Sequence, residues 1–490
     1  MRSPSLLIIL VVLITMTLIS CVPESDSISV LEGSFWKEQG LQQVLPIWTQ
    51  KAWDSGYGGF HTFLDRSWEP YNGAEKYPGM ISRHLFSYSV AYLLSGNKVY
   101  LKQAEKIKDY LIFKGWDAEY GGWFDALDRY GNMIKSSKDA FYQMYAQTGL
   151  TLYYFVTRDP EVYKIIQEGH KILSNQGWDD RYGGYYRCLD RDLSVAVADK
   201  DFSPQLAPLS GYLIYLYLAT RDSDYLEKME ETLDLVWRKM RDPESGWIRE
   251  RFSQDWTYQK HIRSDSTEFN IGHNAEVVWM LLRVHALTGK SKYREQAMQL
   301  QKFLVTWGMD SVSGAWVHGI GTGLPPKQSN ATPWWIQAYG NMVSLNLYRT
   351  TQDSFYVDLF KKGAHFWNQS VLDSVYGGAF LSVYADERIH KGDKAVRTKT
   401  SYHTLEHSLL NYVYLKLWYE KKPAVLYFYV ENPDKVEKLY PLPIADPEVS
   451  ILWVEINGDA WSDFNPEQGW IQLPEEGPAR IKVELIVSEK

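Results

Sequence analysis

Residues 53–66 read WDSGYGGFHTFLDR, and the phrase returns as WDAEYGGWFDALDR at 116–129 and WDDRYGGYYRCLDR at 178–191. Shortened forms follow: DPESGWIRERF from Asp242, DSVSGAWVHGI from Asp310 and DSVYGGAFLSV from Asp373. The marker glycines are Gly58, Gly121, Gly183, Gly246, Gly314 and Gly377, giving steps of 63, 62, 63, 68 and 63 residues. So steady a period is the signature of a repeat architecture, in which each unit buries its apolar face only against neighbours. Within each phrase aromatic and polar residues alternate around a glycine turn, which predicts a short β-hairpin.

Each interval between phrases holds two helices. Apolar periodicity places them at 34–52, 79–95, 98–114, 139–157, 160–175, 205–220, 222–241, 273–288, 291–307, 333–351, 354–370 and 401–419. Ser95-Gly96-Asn97 and Thr288-Gly289-Lys290 supply the stops expected between paired helices. Six such pairs predict an all-α (α/α)6 barrel over 34–420 with the β-hairpins together on one rim. An open superhelical array of the same pairs is the alternative; six long hairpins on one rim favour the ring. From 424 to 490 the texture changes to alternating runs such as VLYFYVEN, VSILWVEING and ARIKVELIV, separated by prolines. These predict a small antiparallel, sandwich-like β domain packed on the barrel.

The chain has 490 residues, 45% hydrophobic and 23% charged, which suits a soluble protein with one large domain and a smaller one. A formal net charge of −8 argues against nucleic acid as a partner, because that surface must be basic. With 20 Trp and 35 Tyr, the chain is rich in flat amphipathic side chains, suited to stacking on sugar rings or to filling a large core.

At the N-terminus Arg2 precedes an apolar run from Leu6 to Ile19, the pattern of an export signal. The run ends in Leu18-Ile19-Ser20-Cys21, which resembles the bacterial lipobox, so residues 1–21 are expected to be a lipoprotein signal with Cys21 acylated. Residues 22–33, rich in Ser, Asp and Glu, read as a flexible tether. The expectation is an exported protein held on a bacterial membrane by its lipid. Cys21 and Cys188 are the only cysteines, so no internal disulfide is expected. The sequence sets no oligomeric state.

Repeat logic also locates a candidate site. Residues about 25 positions after each marker glycine begin the inner helices and face one bowl. Arg83 lies 25 after Gly58, His273 lies 27 after Gly246 and His403 lies 26 after Gly377. Trp334, Trp335 and Gln337 fall 20, 21 and 23 after Gly314, and with Tyr142 they are the expected substrate contacts. Histidine, with an ordinary pKa of about 6.5, takes and returns protons near neutral pH. Glu276, one turn after His273, is placed to orient that imidazole. Arg83 would complement negative charge on an oxygen, as an enediolate requires. The set suits proton abstraction beside a carbonyl.

On these residues the chain resembles a known family. IGHNAEVVWMLLR at 271–283, ISRHLFSY around Arg83, TPWWIQAYGNM around Trp334 and TSYHT around His403 are similar to the N-acylglucosamine 2-epimerase superfamily, which includes cellobiose 2-epimerases and mannose isomerases. The resemblance spans 34–420. It implies an (α/α)6 barrel that opens a reducing mono- or disaccharide and moves the C2 proton through an enediolate. His403 and His273 would then be the acid/base pair, with Glu276 and Arg83 supporting them and no metal or redox cofactor. Departures are Ala207 in place of a histidine-rich helix start, Tyr339 for a glutamate, Thr398 for a tryptophan and Glu406 for an arginine.

Three other readings compete. The run His403-Thr-Leu-Glu406-His407 spells the inverted zinc-peptidase signature. A glycoside hydrolase or lyase needs a carboxylate pair, for which Asp65, Asp125, Asp128 and Asp190 are candidates, although the recurrence of Asp65, Asp128 and Asp190 before arginine suits hairpin staples better. A lipoprotein that only binds glycans at an aromatic rim would turn nothing over.

Overall fold

Two kinds of helix alternate along the chain, and composition separates them. The helix Pro78–Ser95 is apolar, aromatic or small on every side apart from Arg83 and His84, and all its residues before Ser95 are buried. The next, Lys98–Tyr110, buries only Leu101, Ala104 and Ile107, a single stripe at helical spacing. A helix apolar all round must lie inside, and a striped one must lie on it. The computed structural model describes residues 29–488 apart from Asn72, Leu324 and Ala445.

Among the described residues the barrel has twelve helical segments, several containing a wide π turn. The outer ones are α1 (33–51), α3 (98–115), α5 (Pro160–Asn175), α7 (223–240), α9 (Ser291–Trp307) and α11 (355–371). The inner ones are α2 (Pro78–Ser95), α4 (Ala140–Thr157), α6 (202–220), α8 (Ile271–Thr288), α10 (Trp334–Thr351) and α12 (402–419). Each inner helix packs on the next, and α12 returns to α2, so the ring is closed and the open array is excluded. Outer helices pack on the inner helix that precedes them, while α1 packs on α12 and seals the chain's two ends together.

The turns between inner and outer helices share one solution. Gly96, Arg158, Arg221, Gly289 and Gln352 all take left-handed backbone just past an inner helix, ending it. At three of these turns an Asn or Asp then caps the outer helix: Asn97 accepts from the Val99 amide, Asp159 from Glu161 and Asp222 from Asp224.

At the opposite ends of the inner helices the hairpins form a second, hydrogen-bonded ring. The strand leading into each inner helix pairs with the following repeat's hairpin: Lys138–Asp139 with Cys188–Leu189, Lys200–Asp201 with Arg251–Phe252, and Phe269–Asn270 with Gly319–Ile320. Backbone bonds between Leu64 and Ala395, 3.1 and 3.2 Å, close this ring from last repeat to first. Ion pairs to buried aspartates reinforce it. Asp54 binds Lys76 of its own repeat and Arg129 of the next, each at 3.0 Å, and Asp117 binds Lys138 and Arg191 the same way. Asp373 holds Lys394 at 2.8 Å and takes Arg66 from the first repeat at 2.9 Å.

The C-terminal region covers the far end of the barrel. A four-stranded antiparallel sheet runs in the order Ala424–Val430, Ala479–Val487, Val449–Ile456, Asp459–Ala460. Its first strand lies against α2 and α4, with Phe428 edge-on to Phe155 at 5.7 Å. Among the described residues, Phe464–Asn465 pairs with Trp470–Ile471 and Ile471 also pairs with Leu439, so the expected sandwich lacks a second full sheet and the first sheet packs on the barrel instead. Arg158 and Arg283 donate to the carbonyls of Tyr440 and Pro443, and Arg349 pairs with Asp446 at 2.5 Å.

The expected signal segment and Cys21 lie outside the described residues. The end of the expected tether is packed, not free: Val30 is buried, the Trp36 indole donates to its carbonyl at 2.8 Å, and the Gly33 amide donates to Glu420 at 2.7 Å.

Candidate active site

The N-terminal turns of the six inner helices enclose a cavity of about 190 Å³ at the hairpin end. Arg83 enters from α2, His273 and Glu276 from α8, Trp334, Trp335 and Tyr339 from α10, and His403 from α12. Phe141 and Tyr145 of α4, Phe202, Ser203 and Ala207 of α6, and Thr398 just before α12 complete the wall. The three polar residues singled out by their offsets therefore do meet.

His403 is 5% exposed, and its Nε2 lies 3.0 Å from Arg83 Nη2. A guanidinium can only donate, so Nε2 accepts with its lone pair and the ring proton sits on Nδ1. Burial first, then the positive field of Arg83 and His273, holds the imidazole well below its ordinary range. His403 is thus a neutral base at physiological pH. Arg83 is itself fixed: Nη1 donates to the Thr398 carbonyl at 2.9 Å, and the guanidinium lies 3.8 Å over the Tyr145 ring.

His273 stacks on Phe202 at 4.2 Å with 19° between planes, and its Nδ1 is hydrogen-bonded to a Glu250 carboxylate oxygen. The other Glu250 oxygen accepts from Arg263 at 2.6 Å. Burial alone would raise the Glu250 carboxyl, but His273 and Arg263 outweigh it and hold it at about 2. A charged acceptor on Nδ1 makes that nitrogen the donor and leaves Nε2 as the ring's second nitrogen. The Trp335 ring is close to both imidazoles, 5.2 Å from His273 and 6.1 Å from His403.

Several expectations are corrected. Glu276 does not orient His273; it accepts from the Tyr339 hydroxyl at 3.3 Å, burial pushes its carboxyl up, and Glu250 takes the orienting place. Glu250 sits in the shortened fourth phrase, and Arg263 lies in the stretch that lengthens that step to 68 residues, so the break in the period was the available signal. Gln337 does not reach the cavity, because its amide is bonded to both the Trp316 amide at 2.9 Å and the Trp316 carbonyl at 2.6 Å. Gln143 and Gln205 hold Trp123 and Tyr185 in the same way, so this amide is a structural element of the repeat. Tyr142 stacks on Tyr77 at 5.5 Å and is not among the lining residues, where Phe141 and Tyr145 stand instead.

The carboxylates required by a hydrolase are elsewhere. Asp65 accepts the amides of Ser67 and Glu69, Asp128 takes Asn132, and Asp125 takes Ser137 and the Asp139 amide. None of these, nor Asp190, lines the cavity. His407, the second histidine of the zinc-like pattern, is edged between Trp36 and Trp367 at 4.7 Å each and bonded to Asn341 through Nε2, away from any shared ligand position.

Fold and site together define a class: an (α/α)6 barrel with histidines of distant repeats gathered in an aromatic cavity at the hairpin rim. A sequence profile of the N-acylglucosamine 2-epimerase (GlcNAc 2-epimerase) family matches residues 58–407, and the chain belongs to that family. Cellobiose 2-epimerase of Bacteroides fragilis is 24% identical over 376 residues, covering 74% of this chain and 93% of the relative. The fold matches cellobiose 2-epimerase from Bacillus thermoamylovorans B4167 with a TM-score of 0.71 at 22% identity, covering 78% of this chain and 98% of that one. It matches a D-mannose isomerase with a TM-score of 0.70 at 18% identity, covering 79% and 98%.

Proposed function

We propose that this protein is a sugar 2-epimerase or aldose–ketose isomerase that moves the C2 proton of a reducing mono- or disaccharide through an enediolate. Cellobiose and mannose, named for the relatives, share a reducing aldose, and that common chemistry is what is carried over here. The observation that carries the reading is the protonation pattern: a buried neutral imidazole whose Nε2 lone pair accepts from Arg83, lining the same cavity as a second imidazole whose Nδ1 is fixed by a carboxylate. The open-chain sugar would lie against Trp335, with Arg83 shifting its donation from His403 to the carbonyl oxygen as charge develops there. His403 Nε2 then takes the C2 proton, and His273 returns one from the other side for epimerisation. Return at C1 instead gives isomerisation.

Incubation with a panel of reducing sugars in heavy water, followed by NMR, tests the reading. Deuterium at C2 is the expected result; glycosidic cleavage would establish a hydrolase, and binding without either would reduce the protein to a glycan-binding lipoprotein.

Export and acylation at Cys21 are a separate proposal that rests on the sequence of residues 1–21 alone. Metabolic labelling with a fatty acid tests it: label in the wild type and none in Cys21→Ser supports it, and an unlabelled wild type rejects it.

A further inference from the structure

We propose that Glu406 is a positioning residue which sets the basicity of His403 by accepting a hydrogen bond from its Nδ1–H when ionised. The inference rests on the proton-transfer reading above. Its ground is a pair of unmatched atoms. His403 Nδ1 and Glu406 Oε2 are both buried, neither has a hydrogen-bond partner, and they face each other 3.6 Å apart across one turn of α12. One is a donor in the tautomer that Arg83 imposes, and the other is an acceptor once the carboxyl loses its proton. Leaving both unmatched costs free energy, so a small approach that joins them is favoured as soon as the charge allows it.

Glu406 is fully buried on the barrel axis, and every inner helix presents a polar or charged group to it. Tyr402 and His403 come from its own helix, Arg83 from α2, Tyr145 from α4 and Tyr215 from α6. Glu276 and Arg283 come from α8 and Tyr339 from α10. Its other oxygen, Oε1, accepts from the Tyr402 hydroxyl at 3.0 Å. Burial first, with the like charge of Glu276, raises the carboxyl to about 8, against the pull of the Tyr402 hydrogen bond and the two arginines. Below that value Glu406 is a neutral acid, and Arg83 keeps His403 a weak base. Above it, the carboxylate opposes the field of Arg83 and strengthens Nε2 as the proton acceptor.

The sign is fixed by the direction of the shift. Turnover should rise with pH as Glu406 ionises, through a rise in kcat with KM unchanged. General base catalysis supplies about 10²- to 10⁴-fold, and a strengthened Nε2 recovers part of it, so a rise of about 10-fold or more is expected across the inflection, with a matching deficit of Glu406→Gln on its alkaline side.

The test uses the full chain with isotope-labelled histidine imidazoles, His403 being assigned by its disappearance in His403→Ala. Wild-type His403 resonances should shift with a midpoint near pH 8, where Glu406 is placed. Glu406→Gln should lose that inflection, and the C2 exchange rate should lose it too. Tyr402→Phe keeps the carboxyl but removes the bond that favours its charged form, so its inflection should move upward; it answers the question even if Glu406→Gln fails to fold. An inflection absent from the wild type, or identical in Glu406→Gln, overturns the inference. If exchange proceeds with the same pH profile in both proteins, the inference fails and the epimerase reading stands. If the resonance titrates as described and no sugar exchanges, the pairing stands and the epimerase reading fails.

Discussion

The first three repeats and the next two solve the same packing problem differently. In repeats one to three the aspartate after the first tryptophan of the phrase is buried against a lysine 21 or 22 residues on: Asp54 with Lys76, Asp117 with Lys138, Asp179 with Lys200. In the fourth repeat Asp242 pairs with the partly exposed Arg249 and accepts the Glu244 amide, and in the fifth Asp310 is bonded to Ser313 and two backbone amides, with no cation among the described residues. The fourth and fifth repeats supply His273, Glu276, Trp334, Trp335 and Tyr339 to the cavity. The regular repeats carry the buried lysine staples and give the cavity Arg83 and much of its wall, while the two departing repeats give it His273, Glu276 and the Trp334–Trp335 pair. The sixth does both, stapling Asp373 through Lys394 and carrying His403 on a helix that starts later after its marker glycine than those of the first three repeats.

The contrast can be broken by exchanging the two roles. Lys138→Met leaves Asp117 buried with only the more exposed Arg191, so it should destabilise the fold by about 3 kcal/mol or more while kcat at low temperature stays within a few-fold of wild type. Arg191→Ala, which removes the partly solvated partner of the same carboxylate, should cost less than about 1 kcal/mol. Denaturant midpoints for the two variants check the order; equal losses would show that the buried lysine is not the staple. Conversely, Glu250→Gln should lower the C2 exchange rate about 10- to 100-fold, chiefly in kcat, with little change in the melting temperature. A Glu250→Gln protein that unfolds but turns over normally would place Glu250 with the staples.

These differences also explain what could be read from the sequence. The twelve helices and the ring were legible because a helix apolar on all sides can only lie inside, and because glycines such as Gly96 and Gly289 mark its end. The convergence of Arg83, His273 and His403 was legible, but through a partly accidental coincidence of offsets. From marker glycine to inner-helix end is 37 residues in the first repeat and 42 in the fourth, so His273 reaches the cavity by way of an insertion and not by equivalence. The same insertion carries Arg263, whose contact with Glu250 is set by tertiary folding and has no local periodicity to reveal it. Gln337 taken alone has the chemistry of a substrate contact; beside Gln143 and Gln205 its recurrence identifies the staple. The covering role of the C-terminal sheet depends on the ends of α2 and α4, which no alternation within 424–490 encodes.

The central claim is that His403 and His273 exchange the C2 proton of a bound sugar across one cavity. The direct measurement is deuterium incorporation at C2 by wild type, His403→Ala and His273→Ala at matched folded concentrations, each verified by its melting curve. The account predicts incorporation by the wild type, none by His403→Ala and a severely reduced rate in His273→Ala, on the order of 10²-fold or more for each lost acid/base group. Exchange retained at the wild-type rate in both single variants would contradict it.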